Sequence, residues 1–453
     1  MTLFRCRPSF PIFVAIAAAC LYPPGAGAQG NPTAPDPSEW MSHPLTLREC
    51  VDLALQNNGE ILRAKQELEA DYGISMQIRS LALPKVKAAG DFTSYSAKNI
   101  QALEIPLPAA TSRWYGSVRL IQSVYEGGRM VSAVKSAKLT KQQALLHYKA
   151  IVSDKILEVR TGYFDLLLAE AEANEQKAAF ELQGKEREDI ERRLGTGLVA
   201  HFDLLRSDVA LAGARPKLIR SQNQLKISKA KFVVLLGFNI PADVWEAIPL
   251  QLADPLEVEP YEITLPVAIQ QALDNRPEIQ GQEKEVALRR EKVTNARSGF
   301  LPSVQVIAGY GGFNDDLDRD IHGWFGGVDA NWYLFDGLET QGKIREAHAY
   351  LNAAEVGLND LKRSVGLEVR LAYSGFTEAK EVLDAQTKAQ ELAEESLRQT
   401  KSHLKAGELT QLDLTASETT LTEVKSDMLR ALRDYDVAVA SMDRAIGLPT
   451  ETK

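Results

Sequence analysis

Leu45-Thr-Leu-Arg-Glu-Cys-Val-Asp-Leu-Ala-Leu-Gln-Asn-Asn-Gly-Glu-Ile61 and Ile263-Thr-Leu-Pro-Val-Ala-Ile-Gln-Gln-Ala-Leu-Asp-Asn-Arg-Pro-Glu-Ile279 are one passage written twice, 218 positions apart. Thr46/Thr264, Leu47/Leu265, Ala54/Ala272, Leu55/Leu273, Asn57/Asn275, Glu60/Glu278 and Ile61/Ile279 agree, and Leu83-Pro84 answers Leu301-Pro302 at the same spacing. Further on the spacing becomes 210 and holds to the end: Trp114, Gly116, Val118, Tyr163, Gly197, Asp203 and Gly237 meet Trp324, Gly326, Val328, Tyr373, Gly407, Asp413 and Gly447. Repetition on this scale predicts two copies of one structural unit, residues 45–237 and 263–447. Only the stretch from 86 to 114 is longer than its counterpart from 304 to 324, which marks it as a surface loop that tolerates insertion.

Each copy opens with a threonine, Thr46 or Thr264, as candidate N-cap of an amphipathic helix that Asn57-Asn58-Gly59 or Asn275-Arg276-Pro277 interrupts. A second helix is predicted to about Leu81 or Arg297. After Pro84 and Pro302 the apolar period drops from about 3.6 to 2, the mark of a strand. Strands are predicted near 84–95, 114–125, 302–313 and 324–335. In the first, Val86, Ala88 and Phe92 oppose Lys85, Lys87, Asp91 and Thr93; in the last, Val328, Ala330, Trp332 and Leu334 oppose Asp329 and Asn331. On pattern alone, such strands fit an outer-membrane barrel and a half-buried soluble sheet equally well.

The helices decide between them. From Arg129 to Leu194, and from Glu339 to Leu404, the chain is free of proline and rich in Ala, Glu, Lys, Leu and Gln. Some 66 residues at about 1.5 Å each make rods of ~100 Å, longer than a globular domain accommodates. Returning helices are predicted near His201–Leu236 and Leu412–Ile446, with Pro216 bending the first. Four strands cannot close a barrel, and an open edge in lipid leaves backbone groups unpaired. Two copies would give eight strands and a barrel filled by side chains; three give twelve and room for a pore, so at least a trimer is expected.

Outside the repeats, Arg5, Arg7, the apolar run Phe10–Leu21 and Ala26-Gly27-Ala28 read as a signal peptide over residues 1–28. A membrane-anchoring helix is the alternative, although a run of roughly 12 apolar residues is short for that. Lipid attachment at Cys20 is another. Residues 29–44 are read as an extended segment, 238–262 as a proline-rich linker packed on the outside, and 448–453 as a tail. Cys50 alone would remain after cleavage, so no intrachain disulfide is expected. A formal charge of -9 carries no basic footprint for nucleic acid. No later segment has about 18 consecutive apolar residues, so a membrane crossing would have to be made by strands.

The opening Leu-Thr-Leu-x-x-Cys-Val-x-x-Ala-Leu-x-x-Asn, the Leu-Pro before a strand and the paired breaks between long helices, doubled and in order from Leu45 to Gly447, resemble the TolC-like outer-membrane efflux proteins. The resemblance implies an α+β membrane protein: a homotrimer with four strands per subunit, a transmembrane β-barrel in outer-membrane lipid, and a long α-helical barrel of coiled-coil hairpins reaching through the periplasm. It implies a periplasmic adaptor (membrane fusion) protein and an inner-membrane pump or ABC exporter as partners. Thr196, Gly197, Leu198, Ala406, Gly407 and Glu408 match the family's adaptor-contacting tip turns, and Asp203 and Asp413 its tunnel-mouth carboxylates. Glycine is also what any helix-to-helix turn calls for, and an acid is favoured in the first turn of any helix. The family's gate tyrosine, gate arginine and a second aspartate fall on Leu404, Leu409 and Ala416, so no polar lock is expected there.

Two rival classes frame this expectation. An enzyme would need a constellation, yet the six histidines are scattered, with no metal-ligand spacing and no nucleophile motif; no cofactor or metal is expected. A periplasmic helical-hairpin structural or adaptor protein would share the rods but has no need of four amphipathic strands.

Overall fold

The computed structural model describes residues 43–94, 112–240, 245–246, 248–256, 260–314 and 322–448. The predicted signal peptide, Cys20 and most of the N-terminal segment and C-terminal tail lie outside them. The first repeat contains α1 (Leu47–Asn57), α2 (Gly59–Arg79), β1 (Lys85–Ser94), β2 (Ser112–Glu126), α3 (Arg129–Gly195) and α4 (His201–Leu235). The second contains α5 (Leu265–Asn275), α6 (Pro277–Arg297), β3 (Ser303–Asn314), β4 (His322–Asn331), α7 (Glu339–Ala406) and α8 (Gln411–Ile446). A 3-10 turn precedes β1 and β3 alike.

Local chemistry explains the shared breaks. Thr46 caps α1 in a reciprocal box with Glu49. Asn58 ends α1 and caps α2, its Oδ1 accepting from the Glu60 N–H at 2.9 Å while its Nδ2 donates to the Leu235 carbonyl. In the second copy Arg276 takes that position, followed by Pro277 at the first helical residue. α3 and α7 have 67 and 68 residues, so each is a rod of ~100 Å. α4 runs on through Pro216 as one helix.

The rods pack as hairpins, α3 with α4 and α7 with α8, and the hairpins join where α8 lies along α3. Near mid-molecule the short helices close two small cores. One gathers Cys50, Ala54, Val159, Phe232 and Leu236; the other gathers Ala268, Ala272, Val369, Met442 and Ile446. These are the same five repeat positions, so the doubled sequence builds a doubled core. Cys50 is thereby a small packing residue, burial pushing its thiol up to about 12.

The linker is more integrated than a segment packed outside. Ile248 and Leu250 are buried in the first core. Leu45 forms a parallel bridge with Leu252, and Asp254 accepts from the Leu47 N–H at 2.9 Å and the buried Tyr163 hydroxyl at 2.8 Å.

The strands form one antiparallel sheet in the order β1-β2-β3-β4. Register and alternation put Val86, Ala88, Val118, Leu120, Val306, Ala308, Tyr310, Trp324 and Val328 on one face. Lys85, Lys87, Asp91, Ser117, Arg119, Gln305 and Asp329 share the other. β4 stops at Asn331, short of the 335 expected. Asn331 lies opposite Ser303, the first residue of β3, so among the described residues Trp332, Tyr333, Leu334 and Phe335 have no strand beside them within this protomer.

Candidate functional site

Two regions carry the features a channel needs. The first is the sheet. Its apolar face is bare in the protomer: Trp324 is 85% exposed, Val86 72% and Val328 69%. No such face survives in water without a cover, and lipid is the cover that tolerates polar residues alternating on the reverse side. Among the described residues, β1 and β4 each leave one edge unpaired. No described helix is long and apolar enough to cross a membrane.

The second region is the far end of the rods. Thr196 closes α3, and Gly197 follows at φ +74°. The Gly197 N–H donates to the Leu194 carbonyl and the Leu198 N–H to the Arg193 carbonyl, both at 3.0 Å. That pair of bonds satisfies the rod's last carbonyls and requires a left-handed residue between them. Ala406-Gly407-Glu408 repeats it: Gly407 has φ +78°, its N–H donates to Leu404 and that of Glu408 to His403. An added Cβ on either glycine would meet nothing within 4 Å. Both turns are exposed, Leu198 by 71%.

Asp203 and Asp413 stand three residues past the N-caps of α4 and α8. Asp203 accepts from the Ala200 N–H at 3.2 Å. Asp413 accepts from the Thr410 N–H at 2.8 Å and its hydroxyl at 2.6 Å, bonds that hold its carboxyl below the usual carboxylate range. Each acid therefore has a capping role, and both remain at the end of the rods.

A third cluster was missed by sequence reasoning. Glu418 of α8 is 4% exposed, and its buried carboxylate oxygens find no N–H or hydroxyl donor among the described residues other than a proton carried by Glu186. Lys401 of α7 lies 3.3 Å away, and Glu186 of α3 faces it from the other hairpin. Burial, then Glu418 itself, push the Glu186 carboxyl up to about 8, against the opposing pull of Lys401. A signal did exist in the repeat. Glu418 corresponds to Asp208, which pairs with Arg187 at 2.8 Å, whereas the counterpart of Arg187 in the second copy is Leu397.

A sheet with one lipid-compatible face and open edges, carried on ~100 Å helical hairpins, defines a subunit of an outer-membrane channel whose wall other chains complete. A family model described as outer membrane efflux protein matches residues 50–238 and 268–448, and the chain belongs to that family. It is a channel family, and its members sit in the outer membrane and extend into the periplasm. The outer membrane protein TolC of Vibrio cholerae is 23% identical over 412 residues, 89% of this chain and 91% of that one. The cobalt-zinc-cadmium resistance protein CzcC of Cupriavidus metallidurans is 22% identical over 439 residues, 95% and 98% of the two chains. In fold, the CmeC outer membrane channel of Campylobacter jejuni superposes with a TM-score of 0.74 at 17% identity, over 88% of this chain and 85% of that one.

Proposed function

We propose that three copies of this chain close a twelve-stranded barrel in the outer membrane, continuous with a helical tunnel through the periplasm. Solutes delivered by an inner-membrane pump or ABC exporter leave through it passively, handed on by a periplasmic adaptor. The observation that carries this reading is the pair of edges on β1 and β4, unpaired among the described residues, beneath a bare apolar face.

The internal repeat supplies the missing register. Within the chain Tyr125 pairs with Val304 and Ser123 with Gln305. Moved by 210 positions on one side and 218 on the other, these pairs become Phe335 against Val86, and Tyr333 against Lys87, of the neighbouring copy. The residues past Asn331 then acquire the strand they lack, and no edge remains in lipid. The tip turns Thr196-Gly197-Leu198 and Ala406-Gly407-Glu408 are the surfaces offered to the adaptor, with Asp203 and Asp413 at the tunnel mouth. Their exposure supports that role.

Cysteines at Val86 and Phe335 test the closure, since Cys50 is buried and out of reach. Oxidised membranes should yield a covalent trimer on denaturing gels, absent from either single variant. A monomer recovered from the soluble periplasm would overturn the reading.

A further inference from the structure

Resting on that channel reading, the polar face of the sheet is the wall of a pore, and its charges are unevenly placed. Lys87 stands directly opposite Arg119, and Lys85 lies two residues away on the same face. Like charges opposite one another weaken a sheet. Lys85, Lys87 and Arg119 have no ion-pair partner within 4.0 Å among the described residues. The acids of this face are engaged or distant: Glu126, near the same end of β2, pairs with Arg129 at 3.5 Å and accepts from the Ser123 hydroxyl at 2.6 Å. Asp91 is four residues further along β1, roughly 13 Å away, and accepts from the Thr93 hydroxyl at 2.8 Å. Asp329 lies opposite Gln305 on the far edge strand.

Arg119 is fixed to the wall. Its Nε donates to Ser117 Oγ at 3.1 Å and a terminal N–H to the Tyr115 hydroxyl. Its guanidinium carbon lies 5.4 Å from the Tyr115 ring centre and 6.0 Å from that of Phe325. Gly309 stands between Arg119 and Phe325 in the register, and a Cβ there would strike the Phe325 ring at 2.6 Å. Close packing thus holds one planar cation flat, with N–H groups left to donate, while the exposed Lys85 and Lys87 reach inward beside it.

We propose that Lys85, Lys87 and Arg119 of the three copies form a ring at the periplasmic end of the barrel lumen that binds multivalent oxyanions, through carboxylate or phosphate groups. Purified protein in planar lipid bilayers tests it, with citrate and tripolyphosphate as separate arms. Millimolar concentrations of either anion should block the current in a voltage-dependent way. In Lys85→Gln/Lys87→Gln the half-blocking concentration should rise about ten-fold or more. Should that variant fail to insert, Lys87→Cys should insert with a weakened block and regain it when a cationic thiol reagent is added after insertion, whereas a neutral reagent should not restore it. Channels that conduct yet ignore both anions, or that are blocked equally well without the lysines, overturn the ring. Failure to form any channel would instead sink the channel reading beneath it.

Discussion

Replacing Glu186 by glutamine should make the protein more stable in alkali and no more stable in acid. Glu186 and Glu418 face each other across the two hairpins, and only one negative charge is matched by Lys401. Glu186 therefore keeps its proton up to about pH 8, against 4.5 for an ordinary glutamate. Between those values the folded protein holds a proton that the unfolded chain releases, so this group's contribution is whole below pH 4.5 and declines as pH rises through 8. At about 1.4 kcal/mol per tenfold, the full displacement is worth about 5 kcal/mol per protomer. Glu186 keeps partial contact with water, which reduces the expected loss to ~2–3 kcal/mol. A glutamine donates to Glu418 without needing a proton. Thermal unfolding in detergent at pH 5.5, 7 and 8.5 should show the variant gaining ~2–4 °C over wild type at the highest pH. The gain should shrink steadily toward pH 5.5. A difference that stays constant across the three pH values would refute the shared-proton account.

Lys401→Met leaves both acids without their cation; with the lysine half exposed, it should lower stability at pH 7 by about 1–2 kcal/mol and steepen the pH dependence, measured in the same scans. Gly197→Leu and Gly407→Leu meet open space but force a left-handed backbone, at about 1–2 kcal/mol each; trimers should survive heat-modifiability gels while adaptor capture by cross-linking falls. Loss of the trimers would instead make the glycines structural only. Gly237→Ala is a harsher change, since its Cβ would sit 2.3 Å from the Asn57 carbonyl oxygen at φ +93°; little folded protein should reach the outer membrane on immunoblots of membrane fractions. Val118→Arg on the lipid face should cost about 2–4 kcal/mol per copy and abolish heat-stable trimers.

Local chemistry made most of the fold legible. Threonine caps, Leu-Pro switches and proline-free rods each act within a few residues, and the repeat allowed every reading to be checked against its double. What escaped depends on contacts across the chain. The end of β4 is set by where β3 begins, and Trp332 to Phe335 carry a strand's alternation without a strand beside them in the protomer. The linker prolines exclude a helix, yet nothing local told that Leu250 is buried or that Asp254 anchors Tyr163. Glu186 is one acid among many on a charged rod, and only the packing of α8 against α3 makes it unusual.

That packing also orders the seam between the hairpins. Starting at mid-molecule, α3 and α8 are joined by Asp154 with Arg444 at 2.6 Å, Asp165 with Arg433 at 2.7 Å, Glu172 with Arg430 at 2.9 Å and Glu175 with Lys425 at 3.5 Å. Arg160 with Asp443 at 2.8 Å belongs to the same seam, and the next meeting beyond Glu175 and Lys425 sets Glu186 against Glu418. Each exposed ion pair contributes only about 0–1 kcal/mol, so the ladder sets register more than strength. Its last rung, by contrast, is buried and holds only while a proton is shared. The first hairpin closes its own tip with Arg187, Asp208 and Glu191, a set the second cannot repeat with Leu397 in place of the arginine. Separation of α8 from α3 should therefore begin at the mouth and travel toward mid-molecule. A disulfide introduced near Glu186 and Glu418 should lower bilayer conductance, whereas one at Asp154 and Arg444 should leave it unchanged.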